Sequence, residues 1–134
     1  MSASATRTLL AAGAGSALGA VARYATSHWM LAAFGPGFPW GTLSVNVLGS
    51  FLIGLFAALL AGDAGRNQAT RQFLLAGFCG GFTTFSIFSL EMLLFAMAGD
   101  WARAGGYLAL SLILWLAAVW IGLLVGERWR GAKA

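Results

Sequence analysis

Apolar residues run along this chain in four long stretches, Thr8 to Ala32, Gly41 to Gly62, Gln72 to Ala98 and Gly106 to Val125. A helix needs roughly 20 mostly apolar residues to cross the hydrocarbon of a bilayer, and each stretch meets or exceeds that length. The punctuation between them is polar. Gly35-Pro36-Gly37-Phe38-Pro39 is a cluster of helix breakers followed by Trp40, a residue suited to a membrane interface. Asp63 to Arg71 carries Asp63, Arg66, Asn67, Gln68 and Arg71, and Asp100-Trp101-Ala102-Arg103 reads as a short interfacial turn. The pattern predicts an all-α membrane protein of four transmembrane helices in a single domain covering residues 1–134, with both termini on one side. No linker, low-complexity tract or internal repeat interrupts it.

Small and polar residues inside the stretches add detail. Ala11, Gly15 and Gly19 form a ladder of small side chains, and Gly15-x-x-x-Gly19 suits a helix whose backbone closely approaches a neighbour. A cleaved signal peptide with Ala20-Val21-Ala22 as its processing site fits poorly, because the run is glycine-rich and continues past Arg23 to Phe34. Thr42, Asn46, Gly49 and Ser50 share one stripe of the second stretch. Asn46 is either a donor to a ligand or a hydrogen-bonding link to another helix. The third stretch holds Gly77-Phe78-Cys79-Gly80-Gly81-Phe82-Thr83-Thr84-Phe85-Ser86-Ile87-Phe88-Ser89. Gly80-Gly81 lowers helix propensity, so the backbone is expected to leave the helix near Gly80–Thr83. Such a break is tolerated in a bilayer only beside protein, ions or water. Phe85 and Phe88 then fall on one helical face with Ser86 and Ser89 nearby, a pattern that suits an ion site beside a conduction path. Glu91 is the one acid within a span, either a functional carboxylate or, on the favoured reading, a structural one near the helix end that pairs with a basic residue.

Composition excludes the soluble alternatives. The 134 residues are 60% hydrophobic and 9% charged, and the eight Lys/Arg and four Asp/Glu lie mostly at the ends of apolar runs. The basic balance is therefore membrane-flanking charge, and no nucleic-acid partner is expected. Cys79 is the lone cysteine and His28 the lone histidine, so neither a disulfide nor a cysteine/histidine metal site can form within the chain. No serine nucleophile with a positioned base can be assembled, and Glu91 and Asp100 make no acid/base pair. Gly13-x-Gly15 with Gly19 lacks the spacing and preceding strand of a dinucleotide-binding turn. An enzyme is not expected.

Three segments taken together resemble the Fluc (CrcB) fluoride channel family: Gly19-Ala20 with Arg23, Gly41-Thr42-Leu43-Ser44-Val45-Asn46, and Gly77 to Ser86. The resemblance extends over essentially the whole chain. It implies an antiparallel, dual-topology homodimer in the cell inner (plasma) membrane, with two fluoride pores along the subunit interface and a structural sodium ion at the centre. Carried over by position, Asn46, Phe85 and Phe88 are fluoride-pathway residues, with Thr42, Ser86, Tyr107 and Ser111 as weaker pathway hydroxyls. Gly80 and Thr83 are the residues whose backbone carbonyls would hold sodium. Ile87 departs from the family's common Thr-Phe-Ser-Thr-Phe-Ser, removing one hydroxyl from the polar track.

The residue types suit that chemistry. Fluoride is strongly hydrated, so fixed donors must replace its water, and Asn, Ser and Thr supply neutral ones that still permit release. A phenylalanine presents a partly positive edge to an anion. Peptide carbonyls suit sodium, a hard cation. The alternatives are a proton-coupled small multidrug exporter, which would want an acid in the first span, and a non-transporting assembly subunit, in which the glycine and serine ladders serve packing alone. Charge placement pulls against dual topology. Arg7, Arg66, Arg71, Arg128, Arg130 and Lys133 lie on the side of the termini, against Arg103 and Arg23 on the other, which favours cytoplasmic termini.

Overall fold

A computed structural model describes residues 2–61 and 68–132. Gly62, Asp63, Arg66, Asn67 and Lys133, part of the expected loop and tail, lie outside the described residues. The elements are α1 (Ala3–Phe34), α2 (Trp40–Leu59), α3 (68–82), α4 (Ser86–Met97) and α5 (Trp101–Gly131). Helix α3 is composite, its middle Gln72–Cys79 being wound as a π-helix before the turn Gly80–Phe82. Three rods are long and apolar enough to cross a membrane: Trp40–Leu59, Gln68–Met97 and Trp101–Gly131. Helix α1 is the longest at 32 residues, but Gly, Ser, Thr, Arg23 and His28 dilute its apolar content.

Local chemistry sets the ends. Gly35 closes α1 with φ +72°, a conformation that suits glycine because no Cβ collides there, and its N–H donates to Leu31 O at 2.9 Å. Gly99 ends α4 in the same way (φ +76°), with Asp100 N–H donating to Phe95 O and Gly99 N–H to Ala96 O, both at 3.0 Å. Asp100 then caps α5 by accepting from Arg103 N–H at 3.0 Å. Trp101 to Arg103 are thus the first turn of α5, not a separate interfacial turn. At the other end of the bundle, Arg130 donates to the carbonyls of Ala58 (2.9 Å) and Ala61 (3.2 Å), satisfying the end of α2.

Two glycine seams bring backbones together. A Cβ on Gly15 would strike the carbonyl of Phe73, and one on Gly19 that of Phe78; from the other side, Gly77 faces the carbonyl of Ala12 and Gly81 that of Ser16. Contacts therefore advance together along α1 and α3, which run parallel. Helices α2 and α5 also run parallel through Gly54, Gly122 and Gly126, which meet the carbonyls of Val119, Phe51 and Leu55. Lipid supplies no hydrophobic push between helices, so close backbone contact carries the association. The expected Gly15–Gly19 approach is present, and short turns after α1 and α4 make the rods alternate in direction.

The break in the third rod falls at the C-terminal end of the expected Gly80–Thr83 stretch. Gly80 and Gly81 are helical, and the chain turns extended at Thr83 (φ −83°, ψ 161°), re-entering a helix at Ser86. Gly81 is needed for close approach to Ser16, whereas a Cβ on Gly80 would meet nothing. Tertiary hydrogen bonds to Thr83 and Thr84, not weak propensity at the glycines, hold the break open.

Candidate functional site

Asn46 reaches from α2 to the break. Its Nδ2 donates to Thr84 O and its Oδ1 accepts from Thr84 N–H, each at 2.8 Å, with Asn46 itself 5% exposed. Both readings of Asn46 thus meet in one side chain: it fastens the broken backbone, and its second amide N–H remains free for a ligand. From α1, Arg23 Nη1 donates to Thr83 O at 3.3 Å. Thr83 Oγ1 donates back to Cys79 O at 2.9 Å, and Thr83 N–H bonds the same carbonyl. Because Thr84 N–H is spent on Asn46, no hydrogen bond among the described residues reaches the Gly80 carbonyl, and Gly80 is exposed.

Phe85 and Phe88 differ sharply in burial. Phe85 precedes α4 and is 70% exposed, while Phe88 lies within α4 and is 3% exposed. Their rings still meet, with centroids 5.8 Å apart and planes tilted by 44°. Phe88 joins Leu43 and Tyr107 in a buried cluster, its ring 5.0 Å from Tyr107 and 4.9 Å, edge to face, from Trp115. Ser86 is exposed, with Oγ 3.4 Å from Thr84 Oγ1, whereas Ser89 spends its hydroxyl on Phe85 O at 2.9 Å.

Glu91 has no basic partner among the described residues. Thr42 Oγ1 donates to its Oε1 at 2.7 Å and Tyr107 OH to its Oε2 at 2.8 Å. Arg103, the nearest basic candidate in sequence, is instead held by Asp100 at 3.4 Å and lies over the Phe95 ring. The Thr42 and Tyr107 hydroxyls therefore point their protons at a carboxylate and offer only oxygen lone pairs elsewhere. Ser111 is fully buried one turn beyond Tyr107 on α5. His28 is exposed and stacked on Tyr24.

Two grooves follow one another along α2. One of about 420 Å³ includes Ser27, Trp40, Thr42, Ile87, Glu91 and Phe95 in its walls. The other, of about 280 Å³, includes Asn46, Ser50, Thr83, Thr84, Phe85 and Trp115. Thr42 and Asn46 are four residues apart, about 6 Å along a helix, so the grooves are roughly one turn apart. Of the residues singled out in the sequence, Asn46, Phe85 and Thr83 gather at one groove and Thr42 at the other, with Phe88 and Tyr107 packed between. Neither the Arg23 contact with Thr83 O nor a role for Trp115 was legible in the sequence. The i,i+4 spacing of Ser111 and Trp115 was the available signal for the latter.

The family described as "CrcB-like protein, Camphor Resistance (CrcB)" matches residues 10–123. A fluoride-specific ion channel FluC of Opitutus terrae is 52% identical over 111 residues, covering 81% of this chain and 83% of that protein. A FluC of Rhizobium etli is 48% identical over 111 residues, covering 83% and 89%, and FluC 1 of Nitrobacter hamburgensis is 46% identical over 117 residues, covering 87% and 93%. The Asn46-fastened break, the phenylalanine pair and the glycine seam between α1 and α3 all lie within the matched stretch, and the chain belongs to the CrcB family.

Proposed function

We propose that this protein is a fluoride-selective channel of the inner (plasma) membrane that lowers cytoplasmic fluoride by passive export. The observation that carries this reading is the junction at Thr83–Phe85. There a membrane helix is opened, fastened by Asn46 and Arg23, and lined by neutral donors and an aromatic edge. A dehydrated anion needs fixed donors in place of water, and neutral donors let it leave again. The free Nδ2 proton of Asn46, the Ser86 hydroxyl and the ring edges of Phe85 and Phe88 supply such contacts. Thr42, Tyr107 and Ser111 belong to the approach: the first two are oriented by Glu91, whose charge they help to offset. An inside-negative potential drives an anion outward with about 2.3 kcal/mol per 100 mV. The names of the relatives, fluoride-specific ion channels, support the choice of anion.

Helix α1 serves as the fourth span, since 32 residues extend for about 48 Å. The half-open grooves and the exposed Phe85 are completed by a second, antiparallel copy, giving an interfacial pore on each side. Sodium fits the chain at Gly80 and Thr83. The Gly80 carbonyl accepts no hydrogen bond among the described residues, the Thr83 carbonyl keeps a lone pair beyond Arg23, and peptide oxygens are ligands for a hard cation. When bound, the ion supplies positive charge that offsets the carbonyl end of α3.

The reading is tested with purified protein in liposomes loaded with fluoride, following efflux with a fluoride electrode after a potassium ionophore clamps the potential. Rapid fluoride release, with chloride retained under the same gradient, is expected. The absence of fluoride release would favour a small multidrug exporter, if the liposomes take up a lipophilic cation against a proton gradient, or an assembly subunit, if they do not.

A further inference from the structure

The path described so far has donors on α2 and around the break, yet α5 holds two buried polar groups with nothing to bond. Among the described residues, Ser111 Oγ and Trp115 Nε1 have no hydrogen-bond partner. They are four residues apart and lie one above the other on the same face of α5. Buried polar groups are nearly always paired, and an unpaired one marks strain, function, or a place completed by water or an ion. Two on one face, beside an ion path, require one explanation in common.

The two groups differ in what they can accept. A serine hydroxyl serves as donor or acceptor, but an indole N–H only donates. It can be satisfied by an anion or an oxygen lone pair, never by a cation. The Trp115 ring forms part of the wall of the 280 Å³ groove beside Asn46, Thr84 and Phe85, and it meets Phe88 edge to face at 4.9 Å and 68°. The N–H itself is closed off from water. The donor therefore sits in a dry place, where a hydrogen bond to a charge is strongest.

We propose that the Trp115 indole N–H is a fluoride donor on the α5 side of the pathway, with Ser111 as its neighbour one turn away. The inference rests on the fluoride-channel reading and deepens it. As an ion leaves Asn46 and Phe85, the aromatic pair turns and Trp115 takes up one of the hydrogen bonds that water supplied outside. An indole has no net charge, so it holds the anion without trapping it. Were Trp115 a packing residue alone, its ring would matter and its N–H would not.

Two full-length variants separate ring from N–H: Trp115→Phe, and Trp115→β-(3-benzothienyl)alanine, which keeps the bicycle and lacks only the donor. Fluoride efflux from liposomes is expected to slow by about tenfold in both, the loss of one hydrogen bond to a charged group. A second readout does not depend on transport. In protein labelled with ¹⁵N at the tryptophan indoles, the resonance absent from either variant belongs to Trp115. It is expected to move downfield in sodium fluoride and to stay in place in sodium chloride. Native efflux from the benzothienyl variant, or a Trp115 resonance identical in the two salts, overturns the proposal and leaves the channel reading standing. If the native protein releases no fluoride, the channel reading falls and takes this inference with it.

Discussion

Asn46→Ala tests whether the break is held from α2. In the native chain the amide makes two bonds of 2.8 Å to the same residue, Thr84, in a position only 5% exposed. Alanine leaves the Thr84 N–H and C=O both without partners. Each orphaned group costs about 1–3 kcal/mol, so the pair costs about 2–6 kcal/mol unless water enters from the groove. Set against a typical total stability of about 5–15 kcal/mol, that is a large loss. Thermal unfolding of the detergent-solubilised protein should show a clearly lowered midpoint, and efflux should fall more than tenfold as Thr83 to Phe85 lose their position. Asn46→Asp adds a second arm. One carboxylate oxygen still accepts from Thr84 N–H, but the other replaces a donor with an acceptor facing Thr84 O, and its charge repels the anion. Efflux should then be abolished while the protein remains assembled. An unchanged midpoint in Asn46→Ala would refute the fastening role, and undiminished flux in Asn46→Asp would remove Asn46 from the pathway.

Phe85→Ile and Phe88→Ile should each slow fluoride efflux greatly without loss of assembly, because an aliphatic side chain lacks the ring's positive edge; native efflux from both would exclude the aromatic role. Adjacent glycines should behave differently in thermal unfolding. Gly81→Ala drives a Cβ into Ser16 and should cost about 1–3 kcal/mol, whereas Gly80→Ala meets nothing within the chain and should gain up to about 1 kcal/mol of helix propensity. Equal effects of the two would contradict the α1–α3 packing. A single cysteine at Ala3→Cys in a Cys79→Ser background should be labelled in substantial part by a membrane-impermeant reagent on intact cells, with lysis exposing the remainder. A terminus found wholly inside would exclude dual topology and give the Lys/Arg bias the final word.

The sequence by itself determined the apolar solvent and the count of four rods, but not all of their ends, since α5 starts at Trp101 and runs to Gly131 where the apolar run spans only Gly106 to Val125. Apolar stretches set membrane spans, Gly35 and Gly99 stand at positive-φ helix ends, and Gly15-x-x-x-Gly19 announced a close helix contact that the backbone then makes. These are properties of a residue with its near neighbours, and local physics is enough to read them. The tertiary structure alone decided which polar groups are spent and which are free. Gly80 and Gly81 looked like the cause of the break, but both are helical and the chain opens two to three residues later, at Thr83, where Asn46 and Arg23 bond to Thr84 and Thr83. Glu91 looked like half of an ion pair, but two hydroxyls from α2 and α5 arrive at it and Arg103 does not. Phe85 and Phe88 part company in burial because the break falls just before them, and Trp115 gains interest only through what it fails to meet. Hydrogen bonds between residues 38, 49 or 60 positions apart depend on how rods pack. Spacing along one rod carries no record of the partner on another.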